Sequence, residues 1–276
     1  MSGARFGRVA VPQGEDEEEV AATISELDGV RYLHLGTPWV QGAMRIRAPL
    51  AIELEYVQRM MAWMLWRPSA ALADGLAVQL GIGAGAITRF CHRRLRMHTL
   101  AVEIDASVIV ACRLWFHLPP DDDLLRVLHD DAARWVADRA NRASVHVLCV
   151  DLYDHDAAAP ALDDAAFYAA CRATLADGGV MTVNLFGRNA SLQASLQRIA
   201  SAFGAASVWT LRPTREGNTI VVATRGVALA PRAELIARAN HIEARFGLPA
   251  RKWLRMIRVP DLAGAPASAR ASESPP

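Results

Sequence analysis

The sequence predicts an α/β protein with a central parallel sheet closed by an antiparallel hairpin. Two observations carry this. From residue 76 onward, short apolar runs alternate with helix-patterned stretches, a rhythm that implies right-handed crossovers between parallel strands. Near the C-terminal end, two β-rich runs flank Glu216-Gly217-Asn218, the mark of a hairpin. Composition agrees: of 276 residues, 52 % are hydrophobic and 21 % charged, which suits a globular protein with a full core.

Along the chain, residues 1–28 are polar and carry the acidic run Glu15-Asp16-Glu17-Glu18-Glu19. The stretch "EEEVAATISEL" reads as a short helix behind that run. In "VRYLHLG" and "WVQGAMRIR", apolar and polar residues alternate around Gly36-Thr37-Pro38, predicting short strands over 29–48. "PLAIELEYVQRMMAWMLW" then repeats apolar residues at helical spacing, with Leu50, Leu54, Val57, Met61 and Leu65 on one face; its Met and Trp residues read as core. Strands follow at 76–81, 99–104, 125–129, 145–151 and 179–185, separated by helices near 86–94, 106–116, 132–139 and 164–176. The last of these helices is expected to stop at Asp177-Gly178-Gly179. A helix over 190–203 leads into the hairpin strands 206–212 and 219–224. The whole pattern is that of a Rossmann-like, seven-stranded methyltransferase-type sheet. The end, "AGAPASARASESPP", lacks the large apolar residues that offset ordering entropy and reads as a disordered tail.

The balance of charge bounds the partners. A net charge of +1 gives no drive toward nucleic acid or an anionic membrane, and Lys252 is the only lysine among mostly arginine cations. No apolar run reaches the roughly 20 residues that span a bilayer, and the first residues hold no signal-like apolar stretch. Cys91, Cys112, Cys149 and Cys171 form no CxxC pair, so buried free thiols in a reducing cytoplasm are expected, without disulfide or zinc.

The chemistry starts at "LGIGAGAITRF". Gly81, Gly83 and Gly85 stand where the first strand of the parallel sheet ends, and glycines there let a ligand approach the backbone. Some twenty residues on, "AVEID" ends the next strand with Glu103 placed for ribose hydroxyls. The spacing Gly81-x-Gly83-x-x-Ala86 also satisfies the dinucleotide fingerprint. Three features favour an adenosyl sulfonium over NAD: the hairpin; "HDDAARWV", where Asp131 either meets an adenine amino group or caps the next helix; and "VDLYDHD", where Asp151, Asp154 and Asp156 follow a buried strand. Asp151 emerges at that strand's carboxyl end. A carboxylate there can hold an ammonium, accept its proton and free a lone pair for attack. Asp154 shares the cleft or caps a turn. His155 has no nucleophile to pair with.

In order and spacing, "WVQGAMR", "EYVQRMM", "LGIGAGAITRF", "AVEID", "HDDA", "VDLYD", "FYAACRATLADGGVMTVNL" and "PTREGNTIVVA" resemble the spermidine synthase family, the polyamine aminopropyltransferases. The resemblance runs from about residue 32 to 225. It implies a small N-terminal β-domain used in oligomer contacts, typically a homodimer, on a nucleoside-binding catalytic domain. It implies that decarboxylated S-adenosylmethionine is bound and that an amine displaces methylthioadenosine from it, without a metal. Carried over, Asp151 is the base, Asp154 the second acid of the same loop and Tyr56 the tyrosine before it in the chain. Glu103 holds the ribose, Asp131 the adenine, and Gln41 lines the cofactor pocket. The chain departs from the family at Ala84, where its glycine loop has an aspartate, at Gln58 in place of an acid, and at Leu152, Tyr153 and His155. Those losses of charge leave open methyl transfer from S-adenosylmethionine, or a homologue without catalysis. The units expected are a polar segment 1–28, a small β-region with linking helix 29–60, the Rossmann-like domain 61–258 and the tail 259–276.

Overall fold

The computed structural model of the chain describes residues 7–8, 22–37, 39–153, 162–186 and 190–262. The acidic run at 15–19, Pro38, Asp154, His155, Asp156 and most of the expected tail lie outside them.

Four strands form a small antiparallel sheet in the order β1 (Gly7–Arg8), β2 (Ala22–Leu27), β3 (Val30–Leu35), β4 (Gly42–Arg45). The helix expected across "EEEVAATISEL" is corrected here, since its second half is β2. The reason is the turn that follows. Asp28 and Gly29 both have positive φ, 51° and 75°, the geometry of a two-residue hairpin that Asp-Gly favours. It sets Leu27 opposite Val30 and Ala22 opposite Leu35. Ala22 and Ile24 then alternate inward, as a half-buried strand requires.

The apolar stretch after the small sheet is also shorter in helix than its pattern predicts. It forms α1 (Glu55–Met60) and then a 3₁₀ turn over Met61–Leu65. Met60, Met61, Ala62, Trp63, Met64 and Leu65 are each 0 % exposed. A segment buried on all sides has no single apolar face, so helical spacing over-reads it.

The large sheet comprises β5 (Leu76–Leu80), β6 (His98–Glu103), β7 (Leu125–His129), β8 (Val145–Val150), β9 (Leu175–Phe186), β10 (Val208–Leu211), β11 (Asn218–Thr224) and the two-residue β12 (Ile257–Arg258). The helices along it are α2 (Ala86–Arg89), which continues as a π-helical turn over Phe90–Leu95, α3 (Ala106–Trp115), α4 (Ala132–Ala137), α5 (Ala165–Thr174), α6 (Ala190–Phe203), α7 (Arg232–Phe246) and α8 (Ala250–Leu254). Their order is β12-β10-β11-β9-β8-β5-β6-β7, with β5 through β9 parallel and β10 and β11 antiparallel. This is the expected seven-stranded sheet with one short added edge strand. The chain builds outward from β5 to β7, then crosses back to β8 on the other side of β5. The crevice at the carboxyl ends of β5 and β8 is thus the switch point where such sheets bind ligands.

Capping fixes the helix starts. Asp105 accepts from Ser107 N (2.7 Å), Asp131 from Ala133 N (2.6 Å) and Asp164 from Phe167 N (2.7 Å), each satisfying an amide that the first helical turn leaves free. The expected glycine stop of α5 is corrected: α5 ends at Thr174, and Gly178 and Gly179 lie inside β9. They carry an irregularity where the register against β8 jumps from Val145–Leu175 to Val147–Val180. A Cβ on Gly179 would lie 3.0 Å from Val145 O, so close backbone approach explains that glycine.

Two apolar clusters cover the faces of the large sheet, one holding Trp63, Trp66 and Trp253 and the other Phe167 and Tyr168. A third joins the sheets: Ile24, Leu33 and Met44 pack with Ile82, Ala84, Val108 and Phe116. Leu33 and Met44 are fully buried, each stabilising this junction by about 1.5–3 kcal/mol. All four cysteines are free and buried. No helix among the described residues is long and apolar enough to cross a membrane.

Candidate active site

A cavity of about 880 Å³ opens at the switch point. β5 ends in the glycine turn on its floor, and a Cβ on Gly81 would strike Asp151 O. Gly83 lies against Gln41 O, 2.9 Å from where a Cβ would stand, so both positions are confined to glycine by close approach as well as by positive φ. Gly85 does not line the cavity. It starts α2 and faces Arg89, Leu118 and Cys112, so its role is to turn the chain.

Glu103, at the end of β6, is buried on the cavity wall. Its two carboxylate oxygens accept from Ile82 N (2.8 Å) and Asp105 N (3.0 Å), which ties the glycine turn to β6. Burial pushes its carboxyl upward, and these amides oppose that shift. Asp131 caps α4, as one of its two readings expects, and also lines the cavity. Asp130, beside it, is held below the usual carboxylate range, chiefly by its hydrogen bond with Arg134.

Asp151 follows β8, with its backbone N donating to Leu80 O (2.9 Å). Asn184 Nδ2 donates to Asp151 Oδ1 at 2.9 Å, and the Tyr56 hydroxyl from α1 hydrogen-bonds the same carboxylate. Desolvation pushes Asp151 up to about 6, against the pull of these two donors. Tyr56 is raised well above its ordinary value by burial and then by Asp151. Tyr153 donates to Asn184 O (2.9 Å) and is raised for the same two reasons.

Of the expected residues, Gln41, Tyr56, Gly81, Gly83, Glu103, Asp131 and Asp151 meet around this cavity. Asp154 lies outside the described residues. Ala84 is buried against Gly42, where a built Cβ would lie 2.5 Å from Ala84 Cβ, and Gln58 turns away to donate to Ile52 O (2.7 Å). Sequence reading missed Asn184, Glu216 and Asn218. Asn184 had a signal: it is a polar residue in the apolar run "VMTVNLF", on the strand beside Asp151.

Among the described residues, the cavity is lined by six carboxylates — Glu55, Glu103, Asp130, Asp131, Asp151 and Glu216 — and by no Lys, Arg or His. The side-chain amide Nε2 of Gln41 is buried at its edge without a partner. No set of three His, Cys, Asp or Glu suited to a metal occurs among the described residues. The arrangement can take a cation and a proton from it.

No protein-family model matches the chain. A polyamine aminopropyltransferase from Chromobacterium violaceum is 29 % identical over 255 residues, covering 92 % of this chain and 94 % of its own. A probable spermidine synthase from Corynebacterium glutamicum shares the fold with a TM-score of 0.66, at 19 % identity, over 92 % of this chain and 99 % of that one. A spermidine synthase solved with the transition-state analogue AdoDATO gives 0.57 at 18 % identity, over 83 % and 75 %. The chain is thus similar over most of its length to the polyamine aminopropyltransferases, a likeness that supports a transferase.

Proposed function

We propose that the protein binds decarboxylated S-adenosylmethionine and transfers its aminopropyl group to a small amine. The observation that supports this best is Asp151, a carboxylate raised to about 6 on the wall of a cavity rich in acids and, among the described residues, without cationic side chains. A sulfonium and an ammonium are both cations, and such a site favours them.

In this reading Gly81 and Gly83 admit the nucleoside to the backbone, Glu103 accepts from ribose hydroxyls and Asp131 from the adenine amino group. Glu103 has capacity for this, since each carboxylate oxygen accepts more than one hydrogen bond. Gln41 offers its free amide beside the same ligand. Bound decarboxylated S-adenosylmethionine supplies a methylene activated by positively charged sulfur, with methylthioadenosine as the leaving group. Asp151 accepts the proton of the incoming ammonium, so that its nitrogen presents a lone pair, and Tyr56 steadies the carboxylate. A base near 6 is well matched to this task near neutral pH. Asp154 belongs to the proposal as the second acid of that loop. The proposed state is a cytoplasmic homodimer, as in the resemblance, and the four buried free thiols fit a reducing compartment.

Calorimetric titration of the full chain with decarboxylated S-adenosylmethionine, S-adenosylmethionine and NAD tests the reading, followed by mass-spectrometric detection of aminopropylated amine. Tightest binding of the decarboxylated form, with product, is expected. Preference for S-adenosylmethionine would replace aminopropyl by methyl transfer, and binding of none of the three would remove the enzymatic reading.

A further inference from the structure

A line of buried side chains reaches Asp151 from the turn between β10 and β11. Asp151 Oδ1 accepts from Asn184 Nδ2 (2.9 Å), Asn184 Oδ1 from Asn218 Nδ2 (3.1 Å) and Asn218 Oδ1 from Thr214 Oγ1 (3.3 Å). Thr214 Oγ1 in turn accepts from the backbone N of Asn218 at 3.1 Å, and Thr214 N donates to Asn218 O at 2.8 Å. The Thr214 hydroxyl also reaches the Glu216 carboxylate. Asn184, Thr214 and Asn218 are all buried.

A side-chain amide donates at one end and accepts at the other, so this line has a direction. From the Asp151 end, a carboxylate needs a donor. That turns Asn184 Oδ1 outward, which calls for Asn218 Nδ2 and leaves Asn218 Oδ1 for a hydroxyl. From the turn end, the backbone N–H of Asn218 can only donate. It occupies a lone pair of Thr214 and leaves the hydroxyl hydrogen for acceptors. The Asp151 end sets this direction, and the turn end is compatible with it, since the Thr214 hydroxyl can donate to Asn218 Oδ1.

We propose that Asn218 is a positioning residue: it holds the Asn184 amide with its NH₂ toward Asp151, and so keeps that carboxylate ionised and fixed in the cavity. That Asp151 is the base rests on the functional reading above; the hydrogen-bonded line does not. Released from Asn218, the Asn184 amide is free to rotate and present Oδ1, which only a protonated Asp151 can meet. Among the described residues, the other titratable groups facing Asp151 are Tyr56 from α1, Tyr153 beyond β8 and the buried thiol of Cys149 on β8, with burial holding all three in their neutral forms.

The test is a ¹³C NMR titration of the full chain labelled at aspartate carboxyl carbons, with Asp151 assigned by its loss in Asp151→Asn. Asn218→Ala and Thr214→Val add no charge. Each should move the Asp151 midpoint upward, by about one pH unit for Asn218→Ala. Thr214→Ser, which keeps the hydroxyl, should titrate at the wild-type midpoint. In the transfer assay, the acid limb of the kcat profile should follow, with the nucleoside KM within about twofold. A folded Asn218→Ala with the wild-type midpoint overturns the proposal; if that variant does not fold, Thr214→Val decides. A shifted midpoint in a chain that transfers no aminopropyl group keeps the role of Asn218 and overturns the functional reading. An unshifted midpoint in an active chain does the reverse.

Discussion

Asp151 couples two demands that pull apart. In the proposed reaction it must ionise to accept a proton, yet it sits where ionisation is costly, so that it is protonated up to about pH 6. In the unfolded chain it would titrate near the ordinary aspartate value, about 3.9. Between those values the folded state holds a proton that the unfolded state has released. Stability therefore falls as pH rises from about 4 to about 6, then levels. Asp151→Asn should accordingly melt above wild type at pH 7.5, with the gap closing toward pH 4 in thermal denaturation. The same variant should lose about 10²- to 10⁴-fold in turnover while largely keeping nucleoside affinity by calorimetry. Wild-type activity should drop below about pH 6. Tyr56→Phe removes one donor to the carboxylate, and its acid limb should move to higher pH. At this scale the sequence was informative where a residue ends a strand, as with Glu103 and Asp151. It was silent on Asn218, whose contact with Asn184 joins positions 34 residues apart.

The glycine turn shows how an element constrains chemistry. Ala84 stands where the resemblance implies an aspartate, and its side chain is buried against Gly42 of β4 in a cluster with Ile82 and Val108. Ala84→Asp would place an unpaired carboxylate in that apolar junction instead of the cavity. It should lower the melting temperature without tightening nucleoside binding, because burying a lone charge is costly. A variant that binds decarboxylated S-adenosylmethionine more tightly would contradict this placement. Element types were mostly legible, since strand–helix alternation and capping aspartates are local signals. Three details were not. The β2 strand depends on the Asp28-Gly29 turn and on pairing with β3. The fully buried 60–66 segment has no polar face to give a period. Gly178 and Gly179 mark a bulge that only the register against β8 reveals.

Across the whole molecule, the order of strands sets where function falls. The sheet reverses direction of growth between β5 and β8, and two acids of the proposed chemistry, Glu103 and Asp151, are brought to that crevice from the ends of β6 and β8, the strands on either side of β5. A chain of net charge +1 thus concentrates carboxylates in one concavity. Attraction of an amine into it should weaken with salt, because charges are screened over about 10 Å at 0.1 M. The acceptor KM should rise from 20 mM to 500 mM potassium chloride, and a salt-independent KM would count against a field-guided acceptor. The sequence made the sheet legible but not this convergence, which arises only when distant turns fold onto one rim. The apolar junction between the two sheets has a last consequence. Because Leu33 and Met44 share a core with the residues under the glycine corner, the front part of the chain is no removable accessory. A chimera carrying a relative's residues at 22–32, none of which lines the cavity, should differ in nucleoside affinity, and native affinity in such a hybrid would show the two parts to be energetically separate.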